Sequence, residues 1–164
     1  MRRMSSLGCF FLLLLLLVLC IPSDAAKYRH KGKVLLNSRS STPGATLNVT
    51  LEKMCQVGYT STVRNVSESL KLQVCANYGI PQSQCTGKHY EIDHLISLEL
   101  GGSNDAKNLW PQPYTPKPGA REKDVLENWL SKQVCEHGMP LSDAQKKIAE
   151  NWWDAYREMV TTPR

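Results

Sequence analysis

His-Tyr-Glu-Ile-Asp-His-Leu-Ile-Ser-Leu-Glu-Leu-Gly-Gly-Ser-Asn-Asp-Ala-Lys-Asn-Leu-Trp-Pro-Gln-Pro, residues 89–113, is the stretch on which the fold turns. Residues 90–92 read as a strand that ends at Asp93-His94. Gly101-Gly102-Ser103-Asn104-Asp105 is dense in turn formers. Asn108-Leu109-Trp110 reads as the returning strand, stopped by Pro111. Downstream, Val125, Leu126, Trp129, Leu130 and Val134 recur at helical spacing, from a start near residues 118–120 to a stop before Gly138. The order is strand, long loop, strand, helix. A second helix is predicted over residues 143–160. Ser142 and Gln145 form its capping box, and Ile148, Trp152, Ala155, Tyr156 and Met159 lie on its inner face. Residues 51–85 read as a strand or turn followed by a short helix.

The chain begins with Arg2 and Arg3, an apolar run over residues 10–21, and a small-residue exit at Ser23 and Ala25. That layout predicts a secretory signal over residues 1–25. The run falls short of the ~20 apolar residues that cross a bilayer, so no membrane attachment is expected after cleavage. Residues 26–50 read as a basic, flexible arm, and residues 51–164 as the folded domain. The 164-residue chain holds 20 Lys+Arg and 15 Asp+Glu. Lys27, Arg29, Lys31, Lys33 and Arg39 all precede Glu52, so the body is near neutral and the positive charge sits in the arm. Such an arm either holds a polyanion or is a solvated linker.

Of six cysteines, Cys9 and Cys20 leave with the signal. Cys55, Cys75, Cys85 and Cys135 remain. An even number in a small secreted chain predicts two disulfides, with three possible pairings. Cysteine pairs at zinc-binding spacing are absent, so zinc is the weaker reading. Asn48-Val49-Thr50 and Asn65-Val66-Ser67 are glycosylation sequons.

The chemistry points to the Asp93-His94 pair. A phosphodiester resists attack because its oxygens are anionic, and a divalent cation relieves that repulsion. A histidine near neutral pKa can deprotonate the attacking water. Asp93 would bind the metal, His94 would face water, and Asn108 would hold the loop and orient the imidazole.

The order and spacing of Asp93, His94, Gly101, Gly102, Asn104, Asp105, Asn108 and Leu109 closely resemble the HNH (ββα-metal, or His-Me finger) endonuclease motif. The wider stretch, with Leu98-Glu99-Leu100 and Trp110-Pro111, looks like a secreted branch of that family. Weaker likeness extends over residues 55–155. The resemblance implies an α+β fold, a small ββα-metal finger embedded in a mostly helical, disulfide-stabilised domain. It implies a secreted nuclease of low sequence specificity, acting as a monomer on the phosphate backbone of DNA or RNA. It needs a divalent ion, Mg²⁺ or else Mn²⁺. His94 and Asn108 are then catalytic, and Asp93 is a metal ligand.

The family's last motif residue, a His or Asn early in the helix, has no counterpart here, where Ala120 and Arg121 stand. A helical wheel puts Glu127 and Lys123 beside the inner stripe, so Glu127, or Asp124 one turn along, completes the expected metal set. Lys123, Arg121 and Lys107 are the expected phosphate contacts. Lys123 and Glu127 also satisfy the spacing of an ordinary i,i+4 ion pair. The family's zinc-binding cysteine pairs are missing as well. Residues 77–81 are rich in turn formers and favour Cys75–Cys85, and the resemblance then implies Cys55–Cys135. The alternative function is a catalytically degenerate, secreted binding or effector protein on the same fold.

Overall fold

The computed structural model describes residues 27–162, and the expected signal peptide lies outside them. The architecture is mixed α+β, with two small antiparallel hairpins, five helices and two disulfides. Strands β1 (Arg29–Lys31) and β2 (Val34–Leu36) make the first hairpin. Helices α1 (Leu51–Met54), α2 (Tyr59–Val63) and α3 (Glu68–Asn77) follow. Strands β3 (Tyr90–His94) and β4 (Leu109–Pro113) make the second hairpin, and helices α4 (Ala120–His137) and α5 (Leu141–Thr161) come last. Among the described residues no helix is long and apolar enough to cross a membrane.

The β3–β4 register sets Glu91 opposite Gln112, Asp93 opposite Trp110 and His94 opposite Leu109. Strand β4 runs through Pro111 to Pro113, beyond the expected stop. Proline is tolerated there because β4 pairs on one side only. Helix α4 matches its predicted span, and Gly138 ends it in the left-handed conformation. Leu126, Leu130 and Val134 are buried, whereas Val125 points outward. Helix α5 buries Ala144, Ile148, Trp152 and Ala155. The expected capping box does not form, because Gln145 reaches away to donate to the Leu100 carbonyl at 2.8 Å. Asn151 interrupts the helix with non-helical backbone and recaps it by accepting from the Asp154 amide. Three short helices, not a strand and one helix, fill the 51–85 region.

The largest correction concerns the flexible arm expected over residues 26–50, whose described part, residues 27–50, is not free. Val34 and Leu36 belong to the core with Trp110, Leu130 and Trp152. Tyr28 packs on Tyr78 and Trp110 and donates to the Pro111 carbonyl. Backbone bonds Gly44→Lys107, Leu47→Gly101 and Ser103→Ala45 then stitch the segment onto the 101–108 loop. The basic residues are partly spent as well. Arg29 donates to Asn37 and to the Glu150 carbonyl, and Lys31 pairs with Asp154. Burying three apolar side chains and making many main-chain bonds outweighs the ordering cost that a Ser/Thr/Gly-rich composition suggests.

Cys55 pairs with Cys135 and Cys75 with Cys85. The first bridge ties the start of the helical region to the end of α4 across a separation of 80 residues, and the second spans 10. Chain-entropy reasoning gives about 4–5 kcal/mol for the long loop and about 3 kcal/mol for the short one. Double Cys→Ala variants, unfolded in denaturant, should therefore lose more stability at Cys55/Cys135 than at Cys75/Cys85. The reverse order would show that native packing, not loop length, governs them.

Candidate functional site

Strand β3 delivers Asp93 and His94 to the start of a loop, residues 95–108, whose Leu95, Leu98 and Leu100 are buried. Gly101 takes a left-handed φ of 72°, favoured by glycine. Gly102 lies so close to the chain that a Cβ would stand 1.8 Å from the Ile96 carbonyl oxygen. The loop closes around Asn108, which is fully buried. Its Nδ2 donates to the Ile96 and Ser103 carbonyls, each at 2.9 Å, and its Oδ1 accepts from Ile96 N at 3.0 Å. Asn108 thus holds the loop as expected. It does not orient the imidazole, because all its bonds go to main chain.

Asn104 does that work. His94 Nε2 lies 3.1 Å from Asn104 Oδ1. The amide cannot be reversed without loss: its Nδ2 donates to the Val63 carbonyl at 2.7 Å, and its Oδ1 also accepts from Asn65 N at 3.3 Å. An oxygen facing Nε2 requires the Nε2–H tautomer, which leaves the Nδ1 lone pair as the basic site. Burial pushes the imidazole below its usual pKa, outweighing the Asn104 bond and the Asp93 charge. At neutral pH the ring is a neutral base.

Behind His94 lies a buried ion cluster. Lys123, 1% exposed, sends its ammonium from α4 to Asp93 Oδ2 at 2.7 Å, to the His94 carbonyl at 2.8 Å and to Glu127 Oε1. Burial opposes the ammonium charge, but Asp93 and Glu127 together hold its pKa well above the ordinary lysine value. Burial raises the Glu127 carboxyl against the pull of Lys123. Glu91 and Asp124 are also raised, by burial first and then by the Asp93 charge. The i,i+4 pair is therefore formed, and Lys123 is no phosphate contact: its three N–H groups are all committed to protein oxygens.

The expected metal ligands come together only in part. Asp93 and Glu127 meet at Lys123, whereas Asp124 makes no bond to that ammonium. Among the described residues no group of three or more His, Cys, Asp or Glu is arranged to hold a metal ion. The oxygens best suited to a divalent cation already surround Nζ, so this donor set does not fit a metal while Lys123 holds it.

In front of His94 opens a cleft of about 540 Å³, whose charged walls are Arg64, Lys71 and Arg121 with Glu68 and Glu91. Arg121 lies over the Tyr114 ring at 5.4 Å, and Lys71 pairs with Glu68. Arg64 and Arg121 have no ion-pair partner among the described residues. Arg121 thus stands where a phosphate contact was expected, but Lys107 is exposed on the loop and does not line the cleft. Sequence reasoning gave no role at the site to Asn104, seen as a turn former and as part of the motif's spacing, or to Arg64, which lies beside the Asn65 sequon. Both Asn48 and Asn65 are exposed.

No protein family, curated protein or solved structure compared with the chain matches it.

Asn108→Ala should lower stability by about 3 kcal/mol or more, because it orphans several buried main-chain groups at ~1–3 kcal/mol each. Urea unfolding measures this. Asn104→Ala should cost far less stability and instead release the ring. Imidazole ¹⁵N shifts should then change from the Nε2–H form to a tautomer mixture, and unchanged shifts would remove Asn104 as the orienting group.

Proposed function

We propose that this chain cleaves phosphodiester bonds of nucleic acid with His94 as general base, and that β3, β4 and the start of α4 are the ββα finger its sequence resembles. The observation that carries the reading is the free Nδ1 of a neutral, tautomer-locked histidine beside a cleft with two unpaired arginines. Nδ1 takes a proton from water as the water oxygen bonds to phosphorus and the bond to the departing sugar oxygen breaks. Arg64 and Arg121 meet the phosphate charge. Contacts of this kind read backbone and not base, which supports low sequence specificity. Two disulfides fit an oxidising compartment and support secretion. The divalent ion expected from sequence, Mg²⁺ or Mn²⁺, finds its oxygens already taken by Lys123, and no step is routed through it.

That same occupied cluster favours a second reading, a nucleic-acid-binding protein without catalysis. Incubating the purified protein with plasmid and with RNA, in Mg²⁺, in Mn²⁺ and in chelator, separates the two. Substrate intact under every condition leaves only the second.

His94→Ala should reduce cleavage by about 10²–10⁴ while leaving the circular dichroism spectrum unchanged. Equal activity of the variant would remove His94 from the mechanism. The base must be unprotonated to act, and its pKa is lowered from 6.5. The rate should therefore rise along an acid limb whose midpoint lies below 6.5 and be level through neutrality. Binding should weaken steeply with salt, as phosphate contacts require.

A further inference from the structure

The three acceptors around Lys123 Nζ are unlike one another: a carboxylate from β3, a main-chain carbonyl from the next residue, and a carboxyl from α4. Such a mixture of carboxylate and carbonyl oxygens, converging from two elements on one point, is what a hard divalent cation takes. Here a side chain fills the point. The lysine stem leaves α4 one turn before Glu127, so the cation and one of its oxygens are carried by the same helix face. The site is closed, with Lys123 buried and Asp93 and His94 nearly so. A metal ion could enter only if the ammonium gave up all three bonds at once.

We infer that Lys123 is the resident cation of this site, standing in place of a divalent metal between Asp93 and Glu127. The wild-type protein then binds neither Mg²⁺ nor Mn²⁺ at these oxygens. The ammonium differs from a metal in two ways that matter. It carries a single charge, and it has no open position for water or phosphate. It holds the Asp93-His94 corner but cannot activate a nucleophile. Charge neutralisation in the cleft falls to Arg64 and Arg121. On the reading proposed above, cleavage proceeds in the presence of chelator; the binding claim itself does not depend on that reading.

Mn²⁺ titration followed by electron paramagnetic resonance tests it on the disulfide-bonded chain. Wild type should show no site at Asp93 and Glu127 tighter than about 1 mM. Lys123→Ala vacates the oxygen set and adds a net negative charge. It should bind one Mn²⁺ at least roughly tenfold more tightly than that, as an oxygen-lined site permits. A wild-type site that Glu127→Gln removes would overturn the inference. So would a Lys123→Ala protein that keeps its near-ultraviolet circular dichroism yet binds no Mn²⁺. If Lys123→Ala does not fold, the wild-type titration with its Glu127→Gln control decides alone. The cleavage assay is a separate arm. Cleavage abolished by chelator and restored by Mg²⁺, with the Mg²⁺ requirement shifted to higher concentration by Glu127→Gln, would overturn the resident-cation inference and leave the nuclease reading standing. Absence of cleavage under all conditions would sink the nuclease reading and leave the metal titration to judge Lys123.

Discussion

A buried carboxamide closes the centre of this molecule. Asn108 sits at the foot of β4 and satisfies both the N–H and the C=O of Ile96 as well as the Ser103 carbonyl. The connection between the short strands, residues 95–108, cannot bury Leu95, Leu98 and Leu100 unless its main-chain polar groups find partners. Asn108 supplies those that the two-stranded ladder cannot. Gly102 cooperates, since only a residue without Cβ lets the loop pass the Ile96 carbonyl. The Gly-Gly and Asn-Leu parts of the motif are thus two halves of one closure.

That closure has reach in both directions. The outer edge of the 101–108 loop offers backbone partners at Gly101, Ser103 and Lys107, and residues 44–47 take them. The first hairpin follows and lays Tyr28, Val34 and Leu36 against Trp110 and α5. On the other side, Asn104 is presented to His94 and simultaneously to Val63 and Asn65. The loop therefore fixes the tautomer of His94 and anchors the segment that carries Arg64. Position of the chemistry and order of the N-terminal segment depend on the same few bonds.

What was legible in the sequence follows from this. The β3–loop–β4–α4 order could be read because turn formers and helical spacing are local signals. Trp152 and Ile148 recur at helical spacing, and α4 has its glycine stop. The N-terminal hairpin was not legible, because its strands have three residues each and its anchoring bonds are mostly main chain to main chain. No side-chain pattern records a partner sixty residues away. Asn108 and Asn104 show the same limit: Asn108 keeps the loop-holding role that reading along the chain assigns, and the imidazole-orienting role falls to Asn104 four residues earlier. Lys123 was legible as an i,i+4 partner of Glu127. Its second and third connections, to Asp93 and the His94 carbonyl, come from a strand about thirty residues earlier, and they turn a surface pair into a buried cluster.

The electrostatic consequence of that cluster reaches the cleft. Asp93 and Glu127 lie just behind His94, with Glu91 and Asp124 near them, and all four bear on one small volume. Left unbalanced in a low-dielectric interior, their field would extend forward, repel a phosphate and draw the nearby arginines inward. The Lys123 charge is placed among them, between Asp93 and Glu127. Burial raises Glu127 further and keeps down the charge that remains. Arg64 and Arg121 are then not consumed as internal counterions, and with Lys71 they face a cleft that Glu68 and Glu91 also line. A buried ion pair is weak evidence of stability in itself, since desolvation offsets much of its attraction. Its place beside His94 gives it a second consequence: it stands between the acids of the interior and, on the proposed reading, the phosphate that Arg64 and Arg121 would meet.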